Sequence, residues 1–177
     1  MKKFFINFLF LITFLILYFL QLNFFSWFKI AGVMPNLFVI LIFYIGLFAG
    51  RSMGLTYGVI FGLILDLLIG ENVGMTAIML GTIGIIGGIF DKNFSKESRI
   101  TIIIMAIGTT IIYETGMYVL RYAILESSIE LLSFLKILLA ETVFNVMITI
   151  ILYPLIQKTG HIIENEYKGS TILTRYF

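Results

Sequence analysis

The chain has 177 residues, of which 60% are hydrophobic and 12% charged, with 18 phenylalanines and a formal net charge of +2. Soluble domains carry about 25% charged and about 45–50% apolar residues, so this composition, with its mean hydropathy of +1.06, excludes a soluble domain and describes an integral membrane protein. The lack of cysteine excludes disulfides, thiolate metal sites and cysteine nucleophiles; the single histidine, His161, is too few for a histidine-built zinc site; and the small net charge gives no argument for nucleic acid.

A spanning helix needs about 20 predominantly apolar residues. Six segments approach that length, residues 4–20, 36–50, 53–69, 75–90, 100–120 and 135–156, which predicts an all-α bundle of six transmembrane helices. The first lies in MKKFFINFLFLITFLILYFLQLNFFSW. It begins like a secretory signal, but no A-x-A-like cleavage site follows, so an uncleaved first span is expected. After it, FFSWFKI (24–30) gathers aromatics around the only Trp, the pattern of side chains seated at headgroup level.

Positions 36–69 are almost unbroken apolar sequence. One helix over them would be about 50 Å long at ~1.5 Å per residue, against a hydrocarbon core of about 30 Å. The chain must break, and GRSMG (50–54) holds the only basic residue there and two flanking glycines.

The third span contains GLTYGVIFGLILDLLIGENVGM (54–75), with Gly54, Gly58, Gly62, Asp66 and Gly70 at every fourth position and Gly74 following. Residues i and i+4 share a helix face, and glycines on one face let a second helix approach closely, a main source of association in lipid. The stripe therefore predicts helix packing, either within the chain or against a partner, a second copy included. Asp66 continues it into the bundle. An ionised side chain inside a span costs about 2.5–3.5 kcal/mol on insertion scales and ordinarily faces a partner or a wet cavity. The plainer alternative is a cap or hydrated group near the membrane surface, because Asp66 lies only three residues before Ile69.

In the fourth span, GTIGIIGG (81–88) lacks the G-x-G-x-x-G spacing, so it is not a dinucleotide loop. The fifth carries Thr110, Tyr113 and Glu114. Beyond it, RYAILESSIELLSF (121–134) mixes acids with apolar residues and reads as a surface-lying helix running into the sixth span. The sixth has Glu141, Asn145, Thr149 and Tyr153 at strict i, i+4 spacing, and the polar stretch 157–177 reads as a tail.

Lysine and arginine in short loops concentrate on the cytoplasmic side. With the amino terminus inside, Lys2, Lys3, Arg51, Lys92, Lys96, Arg99, Lys158, Lys168 and Arg175 fall inside, and Lys29, Arg121 and Lys136 outside. This asymmetry predicts both termini in the cytoplasm. It also puts Asp66, Glu114 and Glu141 in the outer half of the membrane, where with Asn145 they are expected to form one polar cluster, with Arg121 and Lys136 as counter-ions. No histidine accompanies the acids and no serine or threonine sits in a nucleophile motif, so no catalytic set, metal site or cofactor is expected.

The segments MPNLFVILIFYIGLFAGRSMG, GVIFGLILDLLIGENVGMTAI and ETVFNVMITIILYPLIQK, in this order, resemble the MreD family, small membrane proteins of the bacterial rod-shape system. The likeness runs from Pro35 and Asn36 to Pro154, includes Asn145, and is most specific in G-L-x-x-D-L-L-x-G, from Gly62 through Asp66 to Gly70. It implies a non-enzymatic scaffold of lateral peptidoglycan synthesis in the inner membrane. The partners it implies are a bitopic MreC-like protein, the MreB filament, the polymerase RodA and its transpeptidase. The family is also similar in architecture to the substrate-binding components of ECF-type vitamin transporters. That leaves a small-molecule-binding transport component as the alternative function.

Overall fold

The computed structural model describes residues 2–69, 73–93, 98–125 and 130–169, the side chains of 92, 93 and 125 excepted. Among the described residues the fold is all-α, with α1 (Lys2–Asn23), α2 (Leu37–Ala49), α3 (Arg51–Ile69), α4 (Met75–Asn93), α5 (Arg99–Leu125) and α6 (Leu131–Lys168). Four of these, α1, α3, α5 and α6, are long and apolar enough to cross a membrane; α2 and the apolar part of α4 are shorter.

Short α2 is the centre of the molecule. All of its 13 residues except Leu41 are buried, and it touches each of the other five helices. A helix apolar on every side belongs in a protein interior. At about 20 Å it is shorter than a hydrocarbon core of about 30 Å, and its neighbours enclose it. The side chain of Asn36 caps its first turn by accepting from the Val39 N–H at 3.2 Å, and Gln21 Oε1 accepts from the Leu37 N–H at 3.2 Å. Its end is Gly50, at φ +99°. That conformation suits glycine and lets α3 start at the next residue, so the break predicted within GRSMG falls on its first position.

The outer helices bury one stripe and expose apolar side chains elsewhere. Helix α1 buries Ile6, Phe10 and Phe14, with Phe14 stacked on Phe61 at 4.3 Å between ring centroids and Phe10 edge-on to Tyr57 at 5.2 Å. Phe4, Phe8, Leu15 and Phe19 on its other side are more than half exposed. Apolar residues facing outward in such density mark a surface made for lipid. Trp27 is 87% exposed in the aromatic loop, where Phe24 stacks on Phe28 and Phe25 meets Phe144 edge-on.

Two stretches have helix bounds that the apolar pattern does not mark. Within 121–134, α5 continues to Leu125 and α6 begins at Leu131, and the surface-helix reading in between falls on 126–129, outside the described residues. The polar stretch after Gln157 remains helical as far as Lys168, because it has a surface to pack on. Gly160 seats the Phe48 ring, Tyr167 donates to Asn7 Oδ1, and Lys3 lies over the Tyr167 ring at 5.7 Å. Lys168 Nζ bonds Asp91 at 2.6 Å and donates to the Leu47 carbonyl at 2.9 Å. The start of α1 and the ends of α2, α4 and α6 therefore meet at one end of the bundle.

Candidate functional site

The glycines of α3 set how closely α4 can approach. A Cβ added at Gly54 would stand 2.7 Å from Gly46 Cα and 2.8 Å from Gly84 C; at Gly58, 2.5 Å from Leu80 O; at Gly62, 2.7 Å from Ala77 N. Helix α4 answers with glycines of its own. A Cβ at Gly84 would meet Gly54 Cα at 2.9 Å, and one at Gly88 would meet Arg51 N at 2.5 Å. Gly46, Gly54 and Gly84 thus form a point where α2, α3 and α4 touch through their backbones. The signal for α4 is the spacing of Gly84 and Gly88, one helical turn apart on one face. Gly70 lies outside the described residues. Gly74 is not on this face: it stands in the turn before α4 at φ +103°, with open space where a Cβ would go.

Asp66, near the end of α3, is buried and faces the start of α4. Its Oδ2 accepts from the N–H groups of Gly74 at 2.8 Å and Ala77 at 3.2 Å, and its Oδ1 from that of Thr76 at 3.2 Å. The first N–H groups of a helix have no partner within it, and an anion there also meets the positive end of the helix dipole. A side chain from the preceding helix does here what an N-cap residue does locally.

A second polar group joins α2, α5 and α6. The Asn36 N–H donates to Asn145 Oδ1 at 2.9 Å, and Asn145 Nδ2 donates to Thr110 Oγ1 at 3.0 Å. Glu141, one turn before Asn145, stands beside Glu114, Asn145 and Asn36 with its Oε1 buried and without a hydrogen-bond partner, and Tyr113 stands beside Asn36. Asn145 and Thr110 are no more than 1% exposed and Glu141 is 6% exposed. In a low-dielectric interior an unmet polar group is costly, so these contacts fix one register among three helices. Arg121 acts electrostatically on Glu114, whereas Lys136 is exposed.

Glu114, Glu141 and Asn145, grouped by sequence, therefore come together, with Asn36, Thr110 and Tyr113 added. The hydrogen bonds of Asp66 go instead to α4. Pro35 is buried beside the Asn36 cap, so two resemblance-bearing segments, around Asn36 and Asn145, meet in space. Pro154 lies inside α6, away from that meeting point. Among the described residues no group of three or more metal-ligating side chains occurs.

The family described as rod shape-determining protein MreD matches residues 1–159. No curated protein matches the chain, and no solved structure does.

Proposed function

Because the chain belongs to the MreD family of rod shape-determining proteins, we propose that it is a non-enzymatic scaffold of the elongation complex, required for lateral peptidoglycan synthesis. The observation that carries this reading is the family match over residues 1–159. The geometry agrees with it: Asp66 caps a helix, and Asn145 joins α2, α5 and α6.

Six crossings of the bacterial inner membrane with both termini cytoplasmic fit the bundle. The start of α1 and the ends of α2, α4 and α6 share one end, as alternating crossings require, and that end carries Lys3 and Lys168. A bitopic MreC-like protein is the proposed direct partner, with MreB, RodA and the transpeptidase in the same assembly. The α3 glycines Gly54, Gly58 and Gly62 are filled by α4, which directs a search for the partner surface to the exposed faces of α1, α5 and α6.

Depletion in the native rod-shaped host tests the reading. Cells should widen and round as the protein is lost, with MreC-like protein recovered alongside the tagged chain beforehand. Rods of normal width after full depletion would overturn it, and a vitamin-sized molecule retained by the purified chain would favour the transport alternative.

A further inference from the structure

Between α5 and α6 runs a groove of about 250 Å³, lined by Arg99 and Ile103 from α5 and by Thr149, Ile150, Tyr153 and Pro154 from α6. It starts one helical turn beyond Asn145 on α6 and lies toward the opposite end of α5 from Glu114. Its walls are mainly aliphatic, its one charged lining residue is Arg99, and it opens onto an apolar exterior, with neighbouring Ile100, Ile104 and Ile151 63–70% exposed. Closed sites for small soluble ligands are ordinarily about 300–1,000 Å³. This groove is smaller and open along the bundle, which suits one segment of a molecule whose remainder lies outside.

Polar features gather at the Arg99 end. The guanidinium lies 5.3 Å from the Tyr153 ring centroid, a cation–π arrangement that holds it over the mouth. Arg99 is also the first residue of α5, where backbone N–H groups favour an anion. Proline donates no backbone N–H, so Pro154 deprives the Ile150 carbonyl of its usual helical donor. Next to it, the buried Thr149 hydroxyl faces that of Tyr44, and neither meets full hydrogen-bond geometry.

We propose that this groove is a binding site for an anionic phospholipid, with the headgroup phosphate on Arg99 and the start of α5 and one acyl chain along Ile103 and Ile150. A cation above an apolar cleft, on a lipid-facing surface, matches an anionic headgroup joined to a hydrocarbon chain. A headgroup hydroxyl of the lipid is the right donor for the Ile150 carbonyl that Pro154 leaves without its helical N–H. The inference rests on the membrane reading above, and the orientation proposed there assigns the lipid to the cytoplasmic leaflet.

Native mass spectrometry of the full chain, with phosphatidylglycerol and phosphatidylcholine of identical acyl chains, tests it. The wild type should bind phosphatidylglycerol about fivefold more tightly, the scale of one cation against a net anionic rather than a zwitterionic headgroup. Arg99→Gln, at an exposed position, should bring the two lipids within about twofold, and Ile103→Trp should weaken both by filling the groove. Equal binding by the wild type, or a preference that survives Arg99→Gln, would overturn the site. Should Ile103→Trp fail to fold, Arg99→Gln decides alone. Maleimide labelling of Lys158→Cys in intact cells tests the orientation separately, since the chain has no other cysteine: labelling from outside would refute the leaflet and leave the lipid result standing.

Discussion

The backbone N–H of Asn36 donates to Oδ1 of Asn145 across 2.9 Å, joining positions 109 apart in sequence. Because Asn145 also donates to Thr110, one side chain fastens α2, α5 and α6 together. Asn145→Leu strands the Asn36 N–H, while the Thr110 hydroxyl keeps its bond to the Ala106 carbonyl at 2.9 Å. Interhelical hydrogen bonds in membranes average only about 0.6 kcal/mol, whereas a buried group left unsatisfied costs about 1–3 kcal/mol. The second effect should prevail here, where no lipid or water reaches. The purified variant should lose helicity at a clearly lower temperature than the wild type, and an unchanged midpoint would show that the three-helix join is dispensable.

Asp66 and Gly74 act as one device, a carboxylate and the turn that presents N–H groups to it. Asp66→Asn keeps a carbonyl oxygen but loses the charge and one acceptor. Asp66→Leu loses everything and leaves three N–H groups without their acceptor. Cap losses run at about 0.5–2 kcal/mol, so Asp66→Leu should be the more destabilising, with Asp66→Asn intermediate. Gly74→Ala meets no steric obstacle, yet its φ of +103° imposes backbone strain of about 1–3 kcal/mol on alanine. Thermal midpoints ranking Asp66→Leu lowest would support the cap. Equal midpoints for Asn and Leu would refute it.

Gly58 and Gly108 offer a matched pair. At Gly58 an added methyl group would press on the Leu80 carbonyl and the Gly81 nitrogen, while at Gly108 nothing lies within 4 Å. Gly58→Ala should therefore force α3 from α4 and cost about 1–3 kcal/mol. Gly108→Ala, inside α5, should be neutral or stabilising by up to about 1 kcal/mol through helix propensity. Opposite signs in thermal unfolding check the pair, and comparable losses would mean that the glycines act through something other than backbone contact.

Much of this was legible in sequence. The α2–α3 break follows from length against membrane thickness, and the shared-face position of Gly54, Gly58 and Gly62 from period alone. Grouping Asp66 with Glu114 and Glu141 rested on depth, which says how far a residue lies from the surface but not which helix it faces. The structure resolves that ambiguity locally: Asp66 reaches forward to residues 74–77, across a connection that hydrophobic period does not encode. Asn36 met Asn145 only once α2 was enclosed, and α2 looked in sequence like any other span. The helical continuation past Gln157 was hidden because its partners, Phe48, Asp91 and Asn7, lie on three other helices.

That continuation begins where the family match ends, at residue 159, and it is held by contacts of different kinds. Lys168 joins Asp91 and the Leu47 carbonyl, but its side chain is 21% exposed, and partly solvated pairs contribute about 0.2–1 kcal/mol. Gly160 lies against the Phe48 ring, itself 1% exposed, so overpacking there costs about 1–3 kcal/mol. Gly160→Val should thus lower the global unfolding temperature more than Lys168→Met. The lysine variant should act locally, raising amide exchange over 160–168 while the 135–156 segment keeps its protection. Uniform exchange along α6 in Lys168→Met would mean that the ion pair does not fasten the extension, leaving Gly160 and Tyr167 to hold it.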